Sequence, residues 1–397
     1  MNSTQGFFIE VLKNYINDCN DAPNANGIDF KSFIYLCHIH NVSGIAYYTL
    51  KKAGICFPDK EKDSLEKDYL AEIVFSYRQE EVFKEFSNIL NENNIQYATY
   101  KGIVIKNLYP NPELRTMGDI DILLHPDDRK KINDILLKLS YIKLADKDEW
   151  LYNKNQVNIE IHSKIKYAYK SKTNIPEDEF WNHVKQTGTS FAYELDPVYH
   201  LALLIDHMAM HTINRGLGIR MLLDIAVWLK FYLNRIDIDL LTDELIKLNI
   251  LQFSKRVFFL CEQLFAIKSP YPDFSISKDT YDNLVDFILS GGVFGKNNSL
   301  FNNVDYLLAK NSINSSANSK FKNKFSVFLP LLFPPFSTMK RRYPYLSKIP
   351  LLLPVAWVQR CFSKVFRPSY NDKESIKRFT YEKQTEILKS ILNDFGL

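Results

Sequence analysis

The sequence predicts an α+β fold in which a small mixed sheet is flanked by N-terminal and C-terminal helical regions. Apolar residues recur at helical spacing before residue 93 and after residue 196, whereas β-forming and alternating runs lie between residues 95 and 161. These patterns divide the chain into four expected parts. They are an N-terminal helical region, an α/β core, a C-terminal helical domain, and a basic apolar segment with a terminal helix, at 1–93, 94–166, 167–305 and 306–397.

A long apolar stripe predicts the main helix of the N-terminal region. Apolar residues recur with a period near 3.6, at Leu65, Tyr69, Leu70, Ile73, Val74, Tyr77, Val82, Phe86, Ile89 and Leu90. We expect this stripe to face a core. The polar cluster 91–94 then ends the helix, because asparagine favours turns.

The α/β core is expected to alternate strands with helices. Two strands are predicted at 95–100 and 118–124, and up to three more at 141–144, 149–152 and 157–161. About two helical turns fit 103–109. A longer helix begins at Pro126, which suits a first helical position, and Asp127 and Asp128 suit the positive end of its dipole.

Helices return after Asp196. They are expected from Pro197 through His211 and over 219–232, 238–267, 276–289 and 373–395. His207 and His211 are four residues apart and therefore share one helix face, as do Arg220 and Asp224, which are spaced to pair with each other. A structural role for these four residues stays open, and the family resemblance described below implies the alternative, that they line a cleft.

Composition points to a globular chain in a reducing compartment. Hydrophobic residues make up 46% and charged residues 24%, which excludes a disordered or fibrous protein. The five cysteines are odd in number and scattered, so neither a disulfide framework nor a thiolate zinc site is indicated. The net charge of +4 does not require a nucleic-acid partner, and no specific nucleic acid is predicted. We expect a cytoplasmic protein.

The strand at 118–124 carries the chemistry. Asp119 and Asp121 are separated by one residue, so both carboxylates lie on the same strand face. Mg²⁺ prefers carboxylate oxygens, and a pair so placed can share one ion or bracket two. Glu160 would complete the site if its strand pairs beside 118–124, and Gly118 would let a phosphate approach the backbone. The alternative is a solvated strand face.

The residues also carry a resemblance. The run YKGIVIKNLYPNPELRTMGDIDILL (100–124), followed by NIEIHSKI (158–165), resembles the uncharacterised nucleotidyltransferase family of bacteria, a branch of the polymerase-β-like nucleotidyltransferase superfamily. The resemblance implies a polymerase-β-like core. It also implies that Asp119 and Asp121 are the metal-binding pair and that Glu160 is the third carboxylate.

The resemblance further implies that Lys101 and Gly102 form the turn facing the triphosphate. The superfamily usually has Gly-Gly or Gly-Ser there, but Ile103 follows Gly102 in this chain. Lys101 and Arg115 could compensate, because both cations bind phosphate. His162 lies two residues beyond the third carboxylate and shares its strand face, where it could orient a water or a phosphate or serve as a structural histidine.

These observations predict a Mg²⁺-dependent nucleotidyltransferase with two ions. It would transfer a nucleoside monophosphate from an NTP to an unidentified hydroxyl acceptor and release pyrophosphate. The alternative hypothesis is a catalytically silent protein that binds nucleotide or a membrane as an accessory, for instance in surface-polysaccharide biosynthesis.

Charge is unevenly distributed along the chain. Eleven lysines and arginines lie between Asp305 and Asp372, with no acidic residue among them. The same stretch holds the apolar runs VFLPLLFPPF and IPLLLPVAW. Basic and apolar residues together suit a peripheral contact of 320–370 with an anionic membrane. Packing against the acidic remainder of the chain and binding of an anionic acceptor are the alternatives.

Overall fold

The structure is a computed structural model. It describes residues 1–146, 150–165, 167, 169, 179–188, 190–214, 216–292, 333, 336, 339–340, 343–347, 349–366 and 382–397, of which 361–366 and 382–388 are described by backbone alone. The chain divides into two compact units. One comprises Met1–Asn297 with Phe395–Leu397, and the other comprises Asn298–Asp394.

Thirteen helices are present in these described ranges. Those before the second strand are α1 Ser3–Asn17, α2 Phe30–His40, α3 Ser43–Lys52, α4 Asp59–Glu92 and α5 Gly102–Lys106. The remaining helices are α6 Pro126–Lys138, α7 Pro197–Asn214, α8 Ile219–Tyr232, α9 Ile238–Lys247, α10 Leu251–Phe265, α11 Lys278–Gly291, α12 Leu353–Phe366 and α13 Glu382–Phe395. The predicted helical regions on both sides of the sheet are thereby confirmed.

A seven-stranded mixed sheet forms the centre of the first unit. Its strands are β1 Tyr97–Thr99, β2 Asp119–Leu124, β3 Ile142–Asp146, β4 Trp150–Lys154, β5 Val157–His162, β6 Val184–Gln186 and β7 Ala192–Leu195. They are ordered β3-β4-β5-β2-β1-β7-β6. Strand β2 pairs in parallel with β5 and antiparallel with β1, so the expected α+β class with a mixed sheet is correct.

Strands β6 and β7 were not expected from the sequence. They have three and four residues, and Lys185, Gln186 and Glu194 are exposed polar positions within them. Such short, polar segments lack the apolar alternation that marks a half-buried strand. Pairing of β7 with β1 extends the sheet beyond the predicted core, which ended at residue 166.

Helices α4 and α6 cover the apolar face of the sheet. Phe86 and Leu90 of α4 and Ile132 of α6 pack with Ile120 and Ile159 in one buried cluster. Because side chains alternate along a strand, burying these isoleucines turns the intervening residues of β2 and β5 to the opposite face. This alternation places Asp119, Asp121 and Glu160 together on the face opposite the apolar cluster.

The apolar stripe of α4 does not face the core along its whole length. Leu65, Val82 and Phe86 are buried as expected, but Leu70 is 55% exposed and Val74 is 58% exposed. The expectation that all these residues face a core is therefore wrong. Helix α4 has 34 residues, and within the described part of the chain its neighbours include α2, α3 and β5.

Part of the basic segment folds within the second unit. Met339, Leu346 and Ala356 form a small buried cluster. Of the eleven cations, Lys340 and Arg360 have described side chains, and the other nine lie outside the described side chains. Among the described residues, no helix combines the length and the hydropathy that crossing a bilayer requires.

Candidate functional site

Parallel pairing of β2 with β5 brings the predicted acids together. Asp121 lies opposite Glu160 in the register, and Asp119 lies opposite Asn158. Paired residues of neighbouring strands project from the same face of a sheet. The expectation that the Glu160 strand pairs beside the Asp119–Leu124 strand is confirmed.

Asp121 is the centre of the polar cluster. Its Oδ1 accepts a hydrogen bond from Lys101 Nζ at 2.8 Å, and His162 Nε2 lies 3.1 Å from the same oxygen. His162 Nε2 is also 3.5 Å from Oε2 of Glu160. One ligand atom each from Asp121, Glu160 and His162 falls within 4.8 Å of the others, which is a spacing that could hold a metal ion.

Asp119 lies at the more open side of this cluster. Burial, followed by the charges of Asp121 and Glu160, raises the pKa of Asp119 to about 6, and a hydrogen bond with Glu160 acts in the same direction. The raised pKa shows that the site disfavours a further negative charge when no cation is present.

Lysine 101 opposes that repulsion at one carboxylate. Burial disfavours the charged forms of both Asp121 and Lys101, but the attraction between opposite charges outweighs it. The pKa of Asp121 is therefore lowered by Lys101 and His162. The pKa of Lys101 is raised by Asp121. Three carboxylates nevertheless face a single ammonium in this group, which leaves an excess of negative charge.

That excess fits a divalent cation. The donors are carboxylate oxygens and an imidazole nitrogen, and hard cations such as Mg²⁺ prefer the former. Asp121 and Glu160 belong to both the predicted metal-binding trio and the observed group, in which His162 joins them. Asp119 adjoins the group through its hydrogen bond with Glu160.

The turn after β1 holds Lys101 in an unusual backbone conformation. Its φ of 54° and ψ of −128° belong to a region that favours glycine. The backbone N–H of Lys101 donates to Nε2 of His200 on α7 at 3.0 Å. Burial lowers the pKa of His200 to about 4, so its imidazole is neutral at physiological pH and can accept this bond.

Arg115 lies outside the metal-binding group and is committed to another partner. Its Nε and Nη2 donate to the two carboxylate oxygens of Asp224 on α8 at 3.1 and 2.8 Å. The hydroxyl of Tyr109 donates to Asp224 as well. Arg220 donates a hydrogen bond to Oγ1 of Thr116, and Asp224 influences it electrostatically, so a pairing of Arg220 with Asp224 stays a prediction. Binding of triphosphate by Arg115 stays a prediction.

The two glycines of the site differ in their surroundings. A Cβ added to Gly102 would lie 2.9 Å from Nη1 of Arg115 and from Sδ of Met117. Gly102 is thus closely packed beneath the turn, and a larger residue would displace the side chain of Arg115 or Met117. A Cβ at Gly118 would meet nothing within 4 Å, which leaves open space next to the acidic pair.

His207 and His211 on α7 lie with their Nε2 atoms 3.1 Å apart. Burial, then the neighbouring His211, lowers the pKa of His207 to about 3, and Lys101 and Asp121 also influence it electrostatically. His207 is therefore a neutral side chain in the neighbourhood of the cluster. Its spacing with His211 indicates a shared helix face, but the sequence alone does not indicate that α7 comes close to Lys101 and Asp121.

Comparison with known proteins gives one match. A family model described as uncharacterised nucleotidyltransferase matches residues 26–266, which is more than half of the chain. No curated protein and no solved structure matches the sequence. The matched range includes α4, the sheet, and helices α7 and α8, and therefore every residue of the cluster around Asp121.

Proposed function

Since this chain belongs to the uncharacterised nucleotidyltransferase family, we propose that it transfers a nucleoside monophosphate from an NTP to a hydroxyl acceptor and releases pyrophosphate. The observation that carries the proposal is the convergence of Asp121, Glu160 and His162 within 4.8 Å on two paired strands. A cluster of this kind suits the binding of a cation together with phosphate oxygens.

Mg²⁺ would be held by Asp119, Asp121 and Glu160. When bound, it supplies Lewis-acid stabilisation of the charge that develops on phosphate oxygens. The negative excess of the carboxylates and the raised pKa of Asp119 support this assignment. Three carboxylates would supply enough protein oxygens for two ions, because each ion would take its other oxygen ligands from the nucleotide.

The protein's own groups would carry the remaining steps. The ammonium of Lys101 would neutralise triphosphate oxygens, and the open space beside Gly118 would admit them. The acceptor oxygen would bond to the α-phosphorus as the bond from the α-phosphorus to the bridging oxygen breaks, and pyrophosphate would carry that oxygen away. Glu160 would accept the proton of the acceptor hydroxyl.

The test is transfer from each of the four α-labelled NTPs to proteins and small molecules of a cell extract, with Mg²⁺ or with EDTA. Mg²⁺-dependent labelling and pyrophosphate release are expected. Asp121→Asn and Glu160→Gln should abolish both, whereas Asp127→Asn, an exposed change on α6, should not. Circular dichroism would check that each variant folds.

Full turnover by Asp121→Asn contradicts the proposal, and Mg²⁺-dependent NTP binding without transfer supports the catalytically silent alternative.

A membrane-associated role is a second candidate, supported by the surface of the second unit. Leu351 is 90% exposed, and Val355 and Val358 on α12 are also exposed. The stretch around them is basic in sequence. Exposed apolar side chains within a basic segment are suited to the interface of an anionic bilayer.

Flotation of the full chain with phosphatidylglycerol vesicles tests this candidate. Binding should weaken in high salt and should be lost in a Leu351→Glu, Val355→Glu double variant. Vesicles of phosphatidylcholine alone should bind poorly, because they offer no negative charge. Equal flotation of the variant and the wild-type protein would contradict the membrane role and leave the transferase proposal untouched.

A further inference from the structure

Helix α4 carries an apolar stripe whose side chains are exposed in the described part of the chain. Leu70, Val74 and Tyr77 are 55%, 58% and 60% exposed. They follow one another at intervals of four and three residues and therefore form a single ridge along the helix. Single exposed apolar residues are common, but an ordered row of large ones indicates an interaction surface.

Charged residues extend this ridge at both ends. Asp63 and Lys67 precede it, and Glu81 and Lys84 follow it, again at alternating intervals of four and three. All four are exposed. The seven positions repeat with the period of 3.5 residues that characterises a helix-pairing seam. Along α4 the ridge spans about 32 Å, at 1.5 Å per residue.

The order of charges along the ridge is complementary to itself when the helix is reversed. Read towards the C-terminus, the order is acidic, basic, three apolar residues, acidic and basic. Two identical ridges in antiparallel orientation therefore oppose unlike charges at both ends. In parallel orientation each charge would meet its own copy, which costs free energy.

We propose that two copies of this chain pair through the ridge, with their α4 helices antiparallel about a two-fold axis at Val74. In this arrangement Val74 meets its own copy, and Leu70 packs against the partner's Tyr77. Lys67 lies opposite the partner's Glu81, and Asp63 lies opposite the partner's Lys84. An isologous interface requires such a self-complementary patch, and the ridge provides one.

The interface leaves the candidate active site on the other side of α4. The helix buries its opposite face against the sheet through Val82 and Phe86, which belong to the cluster beneath β2. Neither the acids of β2 nor the turn at Lys101 contributes to the ridge. The pairing is therefore independent of the proposed transferase activity, and either can fail without the other.

Analytical ultracentrifugation of the full chain over a wide concentration range tests the proposal. A species of twice 46.4 kDa is expected. Val74→Glu places two carboxylates at the axis and should yield a monomer at every concentration. Lys67→Glu should weaken the dimer roughly tenfold, because two symmetry-related pairs are lost and like charges face each other.

The orientation is tested by charge exchange. The Lys67→Glu, Glu81→Lys double variant restores opposite charges in the antiparallel arrangement and should recover the wild-type dissociation constant. Lys130→Glu, an exposed charge reversal on α6, is the matched control and should have no effect. A monomeric wild-type chain, a dimer that persists in Val74→Glu, or failure of the double variant to recover dimerisation would each overturn the proposal.

Discussion

Replacing Asp119 by asparagine is expected to stabilise the cation-free protein at neutral and alkaline pH. The side chain keeps its shape but loses the charge that burial, Asp121 and Glu160 disfavour. A residue that serves a bound cation can destabilise the fold in the absence of that cation. Stability and cation affinity should therefore change in opposite directions in Asp119→Asn.

The magnitude follows from the pKa. Raising the pKa of Asp119 from 3.8 to about 6 corresponds to about 3 kcal/mol, at about 1.4 kcal/mol per pH unit. Asp119 is partly exposed, so solvent screening reduces this to about 1–2 kcal/mol. The folded-state pKa exceeds the unfolded value, so the penalty is absent below pH 3.8, grows as pH rises, and is complete above about pH 6.

Urea unfolding in EDTA, at pH 5 and at pH 8, measures the effect. Asp119→Asn should raise the free energy of unfolding by about 1–2 kcal/mol at pH 8 and by clearly less at pH 5. Glu10→Gln, at an exposed position on α1, is the control and should change it little at either pH. Added Mg²⁺ should stabilise the wild-type protein more than the variant, because binding to the folded state adds stability.

Two results would refute this reasoning. A gain of equal size at pH 5 and pH 8 would show that removal of the charge is not its cause. A loss of stability at pH 8 would show that the Asp119 carboxylate is a favourable partner within the cluster, and the site would then not need a cation to relieve repulsion.

Three further predictions concern the packing around the site, and urea unfolding checks each. Asp224→Ala should cost about 3–5 kcal/mol, because it leaves the buried guanidinium of Arg115 unpaired. Lys106→Met should change stability by less than about 1 kcal/mol, because this buried ammonium pairs with a carboxylate that reaches solvent; a larger loss would contradict this account. Gly102→Ala should cost about 1–3 kcal/mol through overpacking, whereas Gly118→Ala, which meets open space, should cost clearly less.

The acidic group could be predicted from sequence because it depends on local rules. Alternation within DIDILL places Asp119 and Asp121 on one face, and the same rule in VNIEIH gives Glu160 and His162 a common face. In both strands the apolar residues alternate with these polar ones, so they lie on the opposite face of the sheet and must be buried there. One further assumption, that the two strands are neighbours, is enough to assemble the group, and the parallel pairing of β2 with β5 confirms it.

Contacts made by tertiary packing could not be predicted in this way. His200 on α7 accepts a hydrogen bond from the backbone N–H of Lys101, and no spacing rule relates residues 99 positions apart. Arg115 likewise pairs with Asp224 on α8 across 109 positions of sequence. Local spacing indicates contacts one helical turn apart, such as Arg220 with Asp224, but it does not indicate a bidentate pair that tertiary packing makes.

The exposed part of α4 shows a different limit of sequence patterns. An apolar stripe indicates that one face of a helix is buried by packing, but it does not indicate whether it packs against the same chain or against another molecule. In α4 the buried stripe through Val82 and Phe86 and the exposed ridge through Leu70 and Val74 lie on different faces of the helix. The sequence pattern does not separate the two faces, because the large apolar residues of both lie within the same 34-residue helix.

Lys101 adopts a backbone conformation that is more typical of glycine. A residue with a side chain at φ 54° and ψ −128° costs about 1–3 kcal/mol relative to a relaxed backbone. Two bonds hold the residue there, one from its N–H to His200 and one from its ammonium to Asp121. A glycine would adopt the same conformation without strain but would leave Asp121 without its cation. The strained backbone thus places a positive charge among three carboxylates, where the proposed transfer reaction would use it on the triphosphate.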